Sequence, residues 1–177
     1  MVIRKRLKIP GSGLAFITTT VANWTPVFNV QPAAIATLRE LDKTLTRFHA
    51  SLCGYVLMPS HVHVLVRLQE ISHLSKFVQT FKSISSRRLK EMDIQDSWPS
   101  LIMDGKFRLW KPRFDDLLIY SEKQLRIKLE YIHNNPVKAG LVMRSVDWEY
   151  SSARDWIEGK SGILRIDKTF LGEVLYG

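Results

Sequence analysis

Leu52-Cys-Gly-Tyr-Val-Leu-Met58-Pro59-Ser60-His61-Val-His-Val-Leu-Val-Arg-Leu68 is the stretch that decides the fold. Two apolar runs flank a two-residue Pro-Ser turn. So short a link joins antiparallel neighbours, because a parallel crossover needs a dozen residues or more. In the second run Val62, Val64 and Val66 share one face of a strand and point into the core. His61 and His63 then project together from the other face.

Before the hairpin, residues 14–21 (Leu-Ala-Phe-Ile-Thr-Thr-Thr-Val) are aromatic and β-branched and read as a strand. A loop with Pro26 and Pro32 leads to a helix over 33–49, where Ile35, Leu38, Leu41, Leu45 and Phe48 recur at steps of three and four. After the hairpin, residues 72–90 form a second helix with Leu74, Phe77, Val78, Phe81, Ile84 and Leu89 inward. Lys76, Lys82, Arg87, Arg88 and Lys90 lie on its other face. Residues 91–106 read as irregular and 107–110 as a short strand. Ser121 is a good N-cap for a third helix, which ends near His133 and stops before Pro136. This order predicts an α+β fold, a ferredoxin-like antiparallel sheet with helices packed on one face. The expected layout is a basic N-terminal arm over 1–13, one domain over 14–157 and a C-terminal tail over 158–177.

A chain of 177 residues suits one compact domain, and 45% hydrophobic residues exclude a disordered one. The 26 Lys and Arg exceed the 17 Asp and Glu, giving a net charge of +9. That excess points to an anionic partner, nucleic acid before an acidic membrane surface. A single cysteine, Cys53, excludes an internal disulfide and any multi-cysteine zinc site. No apolar run approaches the ~20 residues that cross a bilayer, and no secretory signal stands at the start. The expected location is the cytoplasm.

Two places carry chemistry. His61 and His63 make a plausible half-site for a divalent metal; the same spacing also fits two partly exposed histidines with no ligand. Tyr131 and Asn135, four apart, share one helical face, and the carboxamide of Asn135 at the helix end is free to reach a site. A tyrosine anchored in the core and an asparagine that merely ends a helix fit equally. His133, about 200° around the helix from Tyr131, points elsewhere. Candidate phosphate contacts are Arg4, Lys5, Arg6 and Lys8 of the arm and the basic helix face with Lys82, Arg87 and Arg88. Lys111 and Arg113 beside Trp110 and Phe114 combine charge with stacking surface; a core role for the two aromatics stays open.

Met58-Pro-Ser-His-Val-His63 resembles the His-hydrophobic-His motif of the single-tyrosine HUH transposases, which act on single-stranded DNA. Trp110-Lys-Pro-Arg-Phe-Asp115, Tyr131-Ile-His-Asn-Asn-Pro-Val-Lys-Ala-Gly-Leu-Val142 and Asp147-Trp-Glu-Tyr-Ser-Ser152 are similar to the REP-associated tyrosine transposase branch, related to the insertion-sequence 200-type enzymes. The likeness runs in order from about residue 14 to about 157. It implies the HUH nuclease fold and a metal-dependent single-stranded DNA endonuclease and strand transferase. His61 and His63 then hold Mg²⁺ or Mn²⁺, with Asn135 the third ligand where insertion-sequence relatives have Gln. Tyr131 attacks the scissile phosphate and leaves a 5′-phosphotyrosine link and a free 3′-OH. Tyr120 is the one rival nucleophile. The implied substrate is hairpin DNA from repetitive extragenic palindromes (REP), with adjoining single-stranded bases. The implied setting is the bacterial cytoplasm at the nucleoid, as a monomer in preference to a homodimer. The alternative is a domesticated or inactive hairpin-DNA-binding protein.

Overall fold

The computed structural model describes residues 10–92 and 97–169. Strand β1 (Gly13–Thr20) is followed by α1 (Gln31–Arg47), β2 (Ser51–Met58), β3 (His61–Leu68) and α2 (Leu74–Glu91). A two-stranded ribbon, β4 (Ile102–Met103) and β5 (Lys106–Phe107), precedes β6 (Asp115–Ile119), α3 (Glu122–Lys138) and α4 (Ala153–Ile157). The main sheet is antiparallel in the order β2-β3-β1-β6, the ferredoxin-like arrangement.

Helices α1 and α2 pack on one face, over Ala15 and Ile17 of β1, Tyr55 and Leu57 of β2 and the Val62, Val64 and Val66 set of β3. On the opposite face α3 lays Leu125, Leu129 and Ile132 against Leu14, Phe16, Val56 and Leu65. A β-bulge between Leu52 and Gly54 resets the alternation of β2. It turns Cys53, Val56 and Met58 toward α3 and Tyr55 and Leu57 toward α1 and α2. Gly54 lets α3 come close, since a Cβ there would stand 2.8 Å from the Leu129 Cδ2 methyl.

Three expectations change. The fourth strand of the main sheet is Asp115–Ile119 rather than residues 107–110. Trp110 makes only an isolated bridge to Val21. Pro32 lies in the first turn of α1, where a missing N–H has no intrahelical partner to lose. The third helix passes through Pro136 to Lys138. Its stop is set by Gly140, which takes φ +69°, while Gly140 N–H donates to Val137 O and Leu141 N–H to Pro136 O. That is a Schellman closure, and the proline costs only a single bond in the last turn. Ser121 caps the other end, its Oγ accepting from Gln124 N–H.

The segment after α3 covers the open edge of β2. Leu57 N–H donates to Tyr150 O, Ser152 N–H donates to Tyr55 O, and the Trp148 and Trp156 indoles donate to Leu57 O and Cys53 O. Buried Ser152 Oγ accepts from Tyr55 N–H, donates to Tyr55 O and meets His133 Nε2 at 2.9 Å. With its own proton committed, the hydroxyl accepts from His133 Nε2–H, which fixes that ring's tautomer. His133 thus faces away from Tyr131, as the helical angle predicts.

Burial lowers the His133 pKa to about 4. The folded state keeps this ring neutral, whereas the unfolded chain takes up a proton below about pH 6.5. The stability that the neutral ring contributes is present above pH 6.5 and is lost as pH falls toward 4. Chemical denaturation across that window should show a loss of about 2–4 kcal/mol from this group, and a flatter profile in His133→Gln.

Candidate active site

The face of β3 that carries His61 and His63 is the one under α3. The two ring centroids are 4.9 Å apart and the rings meet edge-on. His63 is 4% exposed, and its Nδ1 lies 2.7 Å from Oγ1 of Thr18, its register partner on β1. Phe16 stacks on the same ring at 5.4 Å. Nε2 of His63 is buried and has no hydrogen-bond partner. Buried polar atoms are nearly always paired; of the four unpartnered ones among the described residues, this is the one on the ring that meets both His61 and Tyr131. Burial, with the positive charges of His61 and Lys128 adding to it, holds the His63 pKa down to about 3. Burial also lowers that of His61. At pH 7 both imidazoles are neutral and each keeps a lone pair.

Helix α3 brings Tyr131 to the same point. Its ring centroid lies 5.3 Å from that of His63 and 6.0 Å from that of Phe16, both edge-on, and the residue is 40% exposed. One turn later, Asn135 is half-buried, and its Nδ2 donates to the Tyr131 carbonyl at 3.0 Å, leaving Oδ1 to act as an acceptor or ligand. One turn earlier, the Lys128 ammonium sits 4.7 Å over the Phe16 ring and 5.5 Å from the Tyr131 ring centroid. Residues 128, 131 and 135 therefore form one stripe at helical spacing.

Among the described residues no group of three or more His, Cys, Asp or Glu comes together. A cation here would draw on two neutral imidazoles and one amide oxygen. That nitrogen and oxygen set, without thiolate, fits Mg²⁺ or Mn²⁺, and the orphaned Nε2 of His63 is the donor such an ion would satisfy.

Tyr120 is 71% exposed and lies just before the cap of α3, whereas Tyr55 and Tyr150 are buried. Arg4, Lys5 and Arg6 fall outside the described residues. Arg87 and Arg88 are exposed on α2, in the layer across the sheet from the two histidines. The Lys82 ammonium donates to the carbonyls of Lys111, Pro112 and Arg113, so it holds that loop in shape. Trp110 is corrected as a stacking surface. It is 7% exposed, packs between Phe28 and Phe81, and donates Nε1–H to buried Ser85 Oγ. Lys111 does approach the site, through Trp24: its Nζ lies 4.2 Å over that indole, which in turn meets His61 at 5.9 Å.

Phe16, Thr18, Trp24 and Lys128 were not singled out by sequence. Lys128 carries a readable signal, its spacing of three from Tyr131. The other three depend on sheet register and loop path.

A family model described as "Transposase IS200 like" matches residues 17–135. A protein of Haemophilus influenzae described as a REP-associated tyrosine transposase is 33% identical over 100 residues, 54% of this chain and 54% of that protein. The REP-associated tyrosine transposase of Escherichia coli K12 is 26% identical over 99 residues, 56% of this chain and 52% of that one. The chain thus spans about half the length of the curated relatives it matches. Among solved structures, a REP-associated tyrosine transposase bound to a REP hairpin has the same fold, with a TM-score of 0.71 and 24% identity. That alignment covers 96% of this chain and 94% of the other. The family match contains both histidines, Tyr131 and Asn135, and by it the chain belongs to the IS200-like transposases, with REP-associated tyrosine transposases as its relatives.

Proposed function

We propose that the protein is a metal-dependent single-stranded DNA endonuclease and strand transferase acting on hairpin DNA, with Tyr131 as nucleophile. The observation that carries this reading is the meeting of a half-exposed Tyr131 with the buried, unpartnered Nε2 of His63, 5.3 Å apart at the ring centroids. A divalent ion held by His61, His63 and Asn135 would supply Lewis-acid polarisation of the scissile phosphate. Thr18 positions the His63 ring, accepting from Nδ1–H in the tautomer that frees Nε2 for a ligand.

The Tyr131 oxygen attacks phosphorus and gives up its proton, forming a phenol–phosphate bond as the bond to the 3′-oxygen breaks. The departing 3′-oxygen takes up a proton, so the products are a 5′-phosphotyrosine and a free 3′-OH. A 3′-OH attacking the phosphotyrosine reverses the step, because the covalent link conserves the energy of the phosphodiester. The Lys128 ammonium beside the Tyr131 ring offers positive charge to the approaching phosphate. Since Tyr131 and His63 meet within one chain, the geometry supports a monomer as the working unit.

The REP hairpin in the related structure and the chain's +9 charge together support a hairpin substrate. No helix among the described residues is long and apolar enough to cross a membrane. The test is incubation with labelled REP-type hairpin DNA carrying single-stranded flanks. A covalent protein–DNA adduct is expected with Mn²⁺ or Mg²⁺ and none with EDTA. Tight hairpin binding with no adduct under any metal would favour the binding-only alternative.

A further inference from the structure

Trp24 is an indole that the core does not use. It belongs to neither hydrophobic cluster and is 58% exposed, although large aromatics are normally buried. The chain holds it out by an unusual backbone. Asn23 and Trp24 both lie in the left-handed region, at φ 55° and 56°, and neither is glycine. Such conformations persist only where the surroundings fix them, and they gather at binding sites. The surroundings do fix this one. Val21 N–H donates to Ser60 O, Ala22 N–H donates to Leu109 O, Asn23 Nδ2 donates to Ser100 O, and Thr25 Oγ1 meets Ser100 Oγ at 3.0 Å. The indole so held meets the His61 ring at 5.9 Å and has the Lys111 ammonium 4.2 Å over its ring.

An exposed flat ring with a cation over it and one imidazole of the histidine pair at its edge suits a strand of unpaired DNA. The ring takes a base, the cation a backbone phosphate, and the imidazole side the phosphate to be cut. We propose that Trp24 is the stacking platform for an unpaired nucleobase next to the scissile phosphate, with Lys111 neutralising the adjoining backbone. The inference rests on the single-stranded DNA reading given above and adds the residue that seats the strand. It also gives Lys111 and Trp24 the paired role, charge plus aromatic, that buried Trp110 cannot fill.

The test uses binding alone, in EDTA, with the full chain. The probes are a fluorescein-labelled dT12 and a matched twelve-unit abasic deoxyribose-phosphate chain, compared at one fixed salt concentration. Stacking of one base is worth about 5- to 150-fold in affinity. The wild type should prefer dT12 by a factor in that range. Trp24→Ala should lose at least fivefold of the preference while binding the abasic chain as before. Trp24→Asn, which suits the left-handed backbone but cannot stack, should behave like Trp24→Ala, and Trp24→Phe should keep part of the preference. A Trp24→Asn protein that keeps the wild-type preference overturns the proposal, as does a wild type that binds both probes equally. An adduct that forms on Tyr131 beside an unchanged preference overturns the platform alone. Loss of the preference in the variants with no adduct in any metal supports the platform and overturns the transferase reading.

Discussion

Tyr131→Phe should abolish the covalent adduct while leaving the affinity for hairpin DNA within about twofold. The substitution removes one oxygen and no ring atom. The edge-on contacts of the ring to His63 and Phe16 persist, and the packing of α3 through Leu125, Leu129 and Ile132 is untouched. Because the hydroxyl is the only group lost, the defect belongs to the chemical step. Residual strand cleavage by water would remain possible, but without a protein-linked product. Tyr120→Phe is the matched control: that side chain is 71% exposed and should be dispensable. Labelled DNA resolved on a denaturing protein gel reads both outcomes. An adduct that survives in Tyr131→Phe and disappears in Tyr120→Phe would reverse the assignment.

The second large effect concerns the metal. His63→Leu should weaken Mn²⁺ binding, followed by calorimetry or by Mn²⁺ electron paramagnetic resonance, by more than about a hundredfold, with adduct formation falling in step. Leucine keeps much of the volume that packs on Phe16 and offers a metal no donor atom in place of the buried Nε2. Thr18→Val separates the orienting role from the ligating one. It removes the hydroxyl that meets His63 Nδ1 at 2.7 Å, and losses at such outer positions run about 10- to 100-fold in metal affinity. Equal effects of the two substitutions would mean that His63 acts through packing rather than as a ligand.

The parts of this site legible in the sequence are those that obey one local period. His61 and His63 share a face because strands alternate, and Tyr131 and Asn135 share one because helices repeat every 3.6 residues. The ferredoxin-like sheet was legible for the same reason, through the hairpin around Pro59 and the two amphipathic helices. What local periods do not carry was missed. Thr18 reaches His63 only through the pairing of β1 with β3, forty-five residues apart. Trp24 reaches His61 only because its loop is tied to Ser60, Ser100 and Leu109. The fourth strand was missed because Asp115 and Asp116 precede an unbroken Leu-Leu-Ile run, with no alternation to mark an edge strand beside β1. The rule that proline breaks helices predicts an end of α3 near His133, before Pro136. Gly140, five residues beyond Asn135, is the residue that ends it, and the extra turn keeps Asn135 inside the helix with its amide on the Tyr131 carbonyl. Lys128, three residues before Tyr131, lies on the same helical stripe and obeys the same period.

The most direct measurement is the identity of the residue that carries the DNA. The adduct formed with Mn²⁺ on a hairpin substrate would be digested with nuclease and trypsin, and the nucleotide-bearing peptide sequenced by mass spectrometry. The expected result is one modified residue, Tyr131, linked to a 5′-phosphate, with a free 3′-OH on the released strand. A nucleotide on Tyr120 or on any other residue, or a 3′-phosphate linkage, would contradict it.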